Sequence, residues 1–301
     1  MPNPHQQPVL AAVDGSDDSL RALEWALAEA DRRGAELRVV HVRQYAPFLQ
    51  AEVLVADFDE EPENDTVLAE LRKDLEGREG LPPLEFISRA GLPAVVLSEM
   101  STEAQLLVVG SRGRGGFAGL VLGSNSVSAA RDAVCPVVVV PRPDREVHGD
   151  AAAPGPRVVV GLKADAPDHA TLAFAFEHAA GAGVRLQVVV AYPWPVLAWT
   201  AYGDFTPTAV DQEATERDTL RVADETLAEL RDSHPKVEVE ILVVPGDAAG
   251  HLVEQSRGAE LVVVGRHRRR FTRPAAMLGS VTHAALLHAA SPVAVVPPDA
   301  D

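Results

Sequence analysis

The stretch Leu106-Leu107-Val108-Val109-Gly110 decides the fold, because it returns 155 residues later as Leu261-Val262-Val263-Val264-Gly265. Working outward, Val9-Leu10-Ala11-Ala12-Val13 is echoed by Val158-Val159-Val160-Gly161-Leu162, and Gly91 by Gly246. Gly123-Ser124 returns as Gly279-Ser280, and the run from Cys135 to Pro141 as the run from Ser291 to Pro297. The order is the same throughout, which marks a tandem duplication. The length of 301 residues also fits two domains at roughly 100–200 residues each. The expected division is a first domain over 1–141, a Pro- and Ala-rich linker over 142–156 and a second domain over 157–301.

Within each repeat, strand patterns alternate with helix patterns. Residues 8–14 form a continuous apolar run, as in a strand buried on both faces. Ser16 or Asp17 can cap a helix over 18–33 that carries Leu20, Leu23, Leu27 and Ala30 on one face. Further strands are expected at 37–42, 84–89, 106–109 and 136–140, and further helices over 64–78, 92–100 and near 124–133. The implied class is α/β: two tandem doubly wound, Rossmann-like domains, each with a five-stranded parallel sheet. Apolar edges invite pairing, so the last strands, Val137–Val140 and Val293–Val296, are expected to pair within the chain. That would give a pseudo-two-fold arrangement and leave homodimerisation open.

Composition narrows the function classes. Hydrophobic residues make up 47% and charged residues 24%, an ordinary globular balance. No apolar run approaches the ~20 residues of a membrane helix, and the N-terminus has no signal-peptide pattern. Cys135 is the only cysteine, so an intrachain disulfide is excluded and a buried, inert thiol is expected. These features predict a cytoplasmic protein. The net charge of −17 divides into −11 for residues 1–150 and −6 for 151–301, which disfavours nucleic acid as a partner.

The chemistry is concentrated after the fourth strand. There the chain reads Gly110-Ser111-Arg112-Gly113 and ends, nine residues on, at Gly123-Ser124, a G-x2-G-x9-G-S pattern. Glycines let backbone N–H groups approach a phosphate, and a helix opening at Gly-Ser offers free N–H groups and a favourable dipole to an anion. The same glycines also fit a plain strand-to-helix connector. No lysine follows the last glycine, so this is not a Walker A loop, and no G-x-G-x-x-G lies in the first strand-to-helix turn.

With Val13-Asp14-Gly15-Ser16 ending the first strand and His41-Val42 ending the second, this loop resembles that of the ATP-binding universal stress protein family, in both halves of the chain. The resemblance implies ATP as the ligand, with any Mg2+ held by its phosphates. It implies a site in the first repeat: Ala12, Val13 and Asp14 at the adenosine moiety, the Asp carboxylate accepting hydrogen bonds, and the backbone of Val42 at the adenine edge. Gly110, Gly113, Gly123, Ser124 and Asn125 then match the positions that contact ribose and phosphate. It further implies a regulatory protein of stress physiology that senses or sequesters ATP with slow or no hydrolysis, and acts on a protein partner the sequence does not name. The alternatives are a nucleotide-independent scaffold and an adenylating enzyme, whose S-G-G-x-D-S or H-x-G-H motifs are missing here.

The second repeat departs from the pattern. Aligning the first helices sets Lys163 opposite Asp14, and Arg268 replaces the second glycine of the loop. One ATP per chain is therefore expected, in the first repeat. The acidic run from Asp57 to Asp65 reads as a solvated loop without EF-hand spacing. His41 reads as a structural strand-end histidine, and His283 and His288 as packing residues.

Overall fold

The computed structural model describes residues 7–44, 64–114, 121–143, 145, 155–192, 209–266 and 278–298. The first repeat runs β1 (Val9–Val13), α1 (Asp17–Arg33), β2 (Leu37–Arg43), α2 (Thr66–Leu75), β3 (Leu84–Ala90), α3 (Pro93–Met100), β4 (Leu106–Gly110), α4 (Ser124–Asp132) and β5 (Val137–Val140). The second runs β6 (Arg157–Leu162), α5 (His169–Ala182), β7 (Arg185–Tyr192), α6 (Ala209–Ser233), β8 (Val239–Pro245), α7 (Ala248–Gln255), β9 (Leu261–Gly265), α8 (Ser280–His288) and β10 (Val293–Val296). Most of the linker, the loop residues 115–120, the acidic residues 57–63 and the arginine-rich residues 267–277, Arg268 among them, lie outside the described residues.

The chain divides into two compact units, and the division does not follow the linker alone. The first comprises 1–144 with 266–278 and 292–297; the second comprises 145–265 with 279–291 and 298–301. In the first unit the strand order is β3-β2-β1-β4-β5-β10. Its first five strands are parallel. β10, the last strand of the second repeat, closes the edge by antiparallel pairing, Val293 opposite Val139 and Val295 opposite Val137. The two last strands thus pair within the chain, as their apolar character predicts. In the second unit β9-β6-β7-β8 follow the same parallel order.

Helices explain the apolar strands. Every residue of β4 and β5 is buried, as required when helices cover both faces of a parallel sheet. α1 is bounded by its own chemistry. Ser16 accepts a hydrogen bond from the Ser19 N–H, two aspartates and two arginines complement the helix dipole, and Gly34 ends the helix at φ +60°. Ala22, Leu23, Ala26, Leu27 and Ala30 are buried, at the spacing of one helix face.

Candidate functional site

Strand order reverses between β1 and β4, and ligand crevices of open α/β sheets lie at such reversals, beyond the carboxyl ends of the strands. Asp14 follows β1 and Gly110 ends β4. Ala12 is half-buried and Val13 buried at the end of β1. Val13 pairs in register with His41 on β2, so Asp14 and Val42 are the next residues on neighbouring strands. Val42 is half-buried and pairs with Arg89 on β3.

Asp14 is both the turn former and the half-buried acid of this edge. Its Oδ1 accepts hydrogen bonds from the Ser16 N–H at 3.0 Å and the Ser16 hydroxyl at 2.6 Å, and its Oδ2 accepts one from the Arg114 N–H at 2.9 Å. Burial alone would raise its pKa. The hydrogen bonds from Ser16, Arg114 and Ser19 outweigh it and hold the carboxyl below the usual range. At neutral pH it is therefore ionised and purely an acceptor. Gly15 takes φ +74°, and the Arg114 guanidinium lies against it where any β-carbon would collide.

The glycines of the motif have separate causes. A β-carbon on Gly110 would come within 2.6 Å of the Asp18 carbonyl carbon and oxygen in the first turn of α1, so strand and helix meet too closely for a side chain. On Gly113 it would collide with Oδ2 of Asp14. A side chain at Gly113 would thus first crowd the chain's own carboxylate. Gly123 donates its N–H to the Ser111 carbonyl at 2.8 Å and caps α4 without any side-chain hydrogen bond. Ser124 and Asn125 are exposed at this uncapped start, which leaves N–H groups for an anion.

A buried acid that sequence reasoning missed stands behind the loop. Asp18 is 2% exposed. Its Oδ1 accepts from Arg21 at 2.5 Å and from Arg142 at 3.1 Å, and its Oδ2 from the Ser111 hydroxyl at 2.9 Å. Burial opposes its ionisation, but Ser111, Arg142 and Arg21 together lower its pKa. An aspartate in the first turn of a helix looks like a dipole-complementing surface residue; only its contact with Ser111, 93 positions away, reveals otherwise.

The remaining sequence candidates resolve into structure. His41 Nδ1 lies 2.7 Å from Asp65 Oδ2, and Asp65 caps α2 and accepts the Ser88 hydroxyl at 2.8 Å. His41 is thus tied into a strand-to-helix brace. Cys135 is buried, and burial pushes its thiol up to about 12. In the second repeat, strand register (Val160 with Val263, as Ala11 with Val108) sets Lys163 opposite Asp14. Helix register does not, contrary to expectation. Residues 163–167 separate Leu162 from the α5 cap Asp168, whereas only Asp14 and Gly15 separate Val13 from the α1 cap Ser16. Lys163 is largely exposed and pairs with Asp165 at 3.4 Å.

The model of the universal stress protein family matches residues 6–141 and again 156–297. The chain belongs to the universal stress protein family. As a tandem universal stress protein it is 34% identical over 296 residues to Universal stress protein Rv2005c of Mycobacterium tuberculosis, covering 96% of this chain and 97% of that protein. It is 31% identical over 314 residues to a universal stress protein of Mycolicibacterium smegmatis, covering 96% of this chain and 97% of the other. Among solved structures, a universal stress protein from Archaeoglobus fulgidus shares the fold at a TM-score of 0.61 and 18% identity, over 96% of this chain and 98% of that one. The functionally unknown protein PA1789 from Pseudomonas aeruginosa does so at 0.63 and 17%, over 98% and 94%. Among the described residues of this universal stress protein, no helix is long and apolar enough to cross a membrane.

Proposed function

We propose that the first repeat binds one ATP and that the chain is a regulatory protein that senses or sequesters it. One observation carries this reading. An ionised carboxylate, Asp14, lies against Gly113 beside a loop whose far end, Gly123-Ser124, is an uncapped helix start. An acceptor for ribose hydroxyls thus stands near free donors for phosphate, complementary to a nucleotide from both ends. Ala12, Val13 and the backbone of Val42 line the adenine end in this reading; Gly110, Gly113, Ser124 and Asn125 line the ribose and phosphates.

In this reading any magnesium is held by the phosphates of the nucleotide. Fast phosphoryl transfer needs a positioned base or a Walker-type lysine, and the sequence shows neither. Hydrolysis is accordingly slow or absent, far below the ~1–100 s⁻¹ of kinases. The test is isothermal titration of nucleotide-free protein with ATP, ADP, AMP and cyclic AMP. Saturable binding of ATP supports the reading, and no heat with any of the four leaves the chain a nucleotide-independent scaffold.

A further inference from the structure

Ser111 is completely buried and every polar atom it has is used. Its N–H donates to the Val140 carbonyl at the end of β5, at 2.9 Å. Its carbonyl accepts the Gly123 N–H, which joins the two ends of the loop at the start of α4. Its hydroxyl donates to Asp18. Asp18 is fixed in turn by Arg21 and Arg142, with Arg112 Nε 4.0 Å away. A chain of contacts therefore runs from the first turn of α1, through Ser111, to the uncapped residue that opens α4.

The duplication supplies an internal control. Two contacts of this region occur in both repeats. The Ser126 hydroxyl donates to the Gly110 carbonyl as the Thr282 hydroxyl donates to the Gly265 carbonyl. The Ser111 N–H reaches Val140 as the Arg266 N–H reaches Val296. Contacts kept in both repeats serve the fold they share. The Asp18–Ser111 pair is not kept. Counting from the helix caps, Ala170 stands for Asp18, and Arg266 stands for Ser111 after the strand-end glycine. The Arg266 guanidinium instead donates to the carbonyls of Arg131 and Ala133. The same repeat has also lost the acid of Asp14, replaced by Lys163. A buried ion–hydroxyl pair that disappears together with the ligand-facing acid, in a repeat that still folds, belongs to the site and not to the scaffold.

We propose that Asp18 is a positioning residue for phosphate recognition: through Ser111 it sets the two ends of the Gly110–Gly123 loop, so that the start of α4 faces the phosphates. The proposal rests on the nucleotide reading above and names the residue behind its phosphate end. Asp18 touches no ligand. Because its contacts through Ser111 end at Gly123, which opens α4, it supports ATP affinity far more than the affinity for adenosine, which uses Asp14 and Val42.

The experiment is titration of the full chain and of Asp18→Asn, Ser111→Ala and the double variant with ATP and, separately, with adenosine. Ser111→Ala removes only a hydroxyl and decides the case if Asp18→Asn does not fold. Losing one hydrogen bond to a charged acceptor corresponds to about a tenfold loss of ATP affinity, with adenosine affinity changed less than about twofold. The double variant is expected to lose no more than the worse single one, because both act through one contact. Equal losses for ATP and adenosine would show a general structural role and overturn the proposal. So would unchanged ATP affinity in the variants when the unaltered chain binds ATP. Failure of the unaltered chain to bind ATP would overturn the nucleotide reading itself, and the proposal with it.

Discussion

A β-carbon on Gly113 would occupy space already held by Oδ2 of Asp14. Carboxylate and loop backbone are therefore fitted to each other before any ligand arrives, and a change in either displaces the other. Gly113→Ala is expected to push the Asp14 carboxylate from its bonds to Ser16 and the Arg114 N–H. The result should be a loss of ATP affinity with only a small change in Tm, since the collision lies at the half-buried strand end and not in the core. Calorimetric titration beside a thermal melt separates the two effects.

Asp14→Ala removes an ionised acceptor outright. Hydrogen bonds to charged groups contribute about 1.5–3 kcal/mol each, so ATP binding should weaken by about that amount. Titration calorimetry reads the loss, and an affinity within twofold of the unaltered chain would place the ligand elsewhere.

The two repeats should not be equivalent in solution. Lys163 offers donors only where Asp14 offers an acceptor, and its ammonium already pairs with Asp165. Titration of nucleotide-free chain with ATP is expected to give a stoichiometry near one. Two equivalent sites would contradict the asymmetry.

Acid should unfold the first repeat through carboxylates that are pinned in their charged form. Asp14, Asp18 and Asp65 all have pKa values lowered by the folded structure; burial opposes this in each case and hydrogen bonds override it. A lowered pKa stabilises the fold fully above the unfolded value of about 3.9. That contribution is lost as pH falls through the lower, folded value. Denaturant melts should therefore show these three contributions constant from pH 7 to 5 and falling below about pH 4. Asp65→Asn, which cannot ionise, should make that fall shallower.

Cys135, with its thiol pushed up to about 12 by burial, should resist alkylation. Iodoacetamide at pH 8 is expected to leave the native chain unlabelled and to label it fully in denaturant, as mass spectrometry would show.

Much of this architecture is legible in the sequence, and for physical reasons. The duplicated apolar strands carry their burial in their composition, and the helix boundaries carry their caps. The expected helix over 18–33 begins at Asp17 with Ser16 as its cap, and the pairing of Val137–Val140 with Val293–Val296 follows from two apolar edges. What the sequence concealed are relationships between distant residues of ordinary appearance. Asp18 reads as one more acidic first-turn residue until its contact with Ser111 is seen. The glycine at 110 reads as part of a phosphate cradle until the backbone of α1 is found against it. The equivalence of Lys163 with Asp14 was legible, but its basis was misread. The turn between β6 and α5 is longer than the one between β1 and α1, and a local insertion moves helix register while strand register holds.

The seating of β10 against β5 has a consequence in time. A ribosome adds about 5–20 residues per second, so the partner of Val137–Val140 emerges roughly 8–30 seconds after that strand has been made. Over that interval the nascent first repeat carries an uncovered apolar border of four consecutive valines, a ready template for pairing with a neighbouring chain. This edge is thus more vulnerable during synthesis than in the finished fold, and the exposure ends only when β10 has been made and seated.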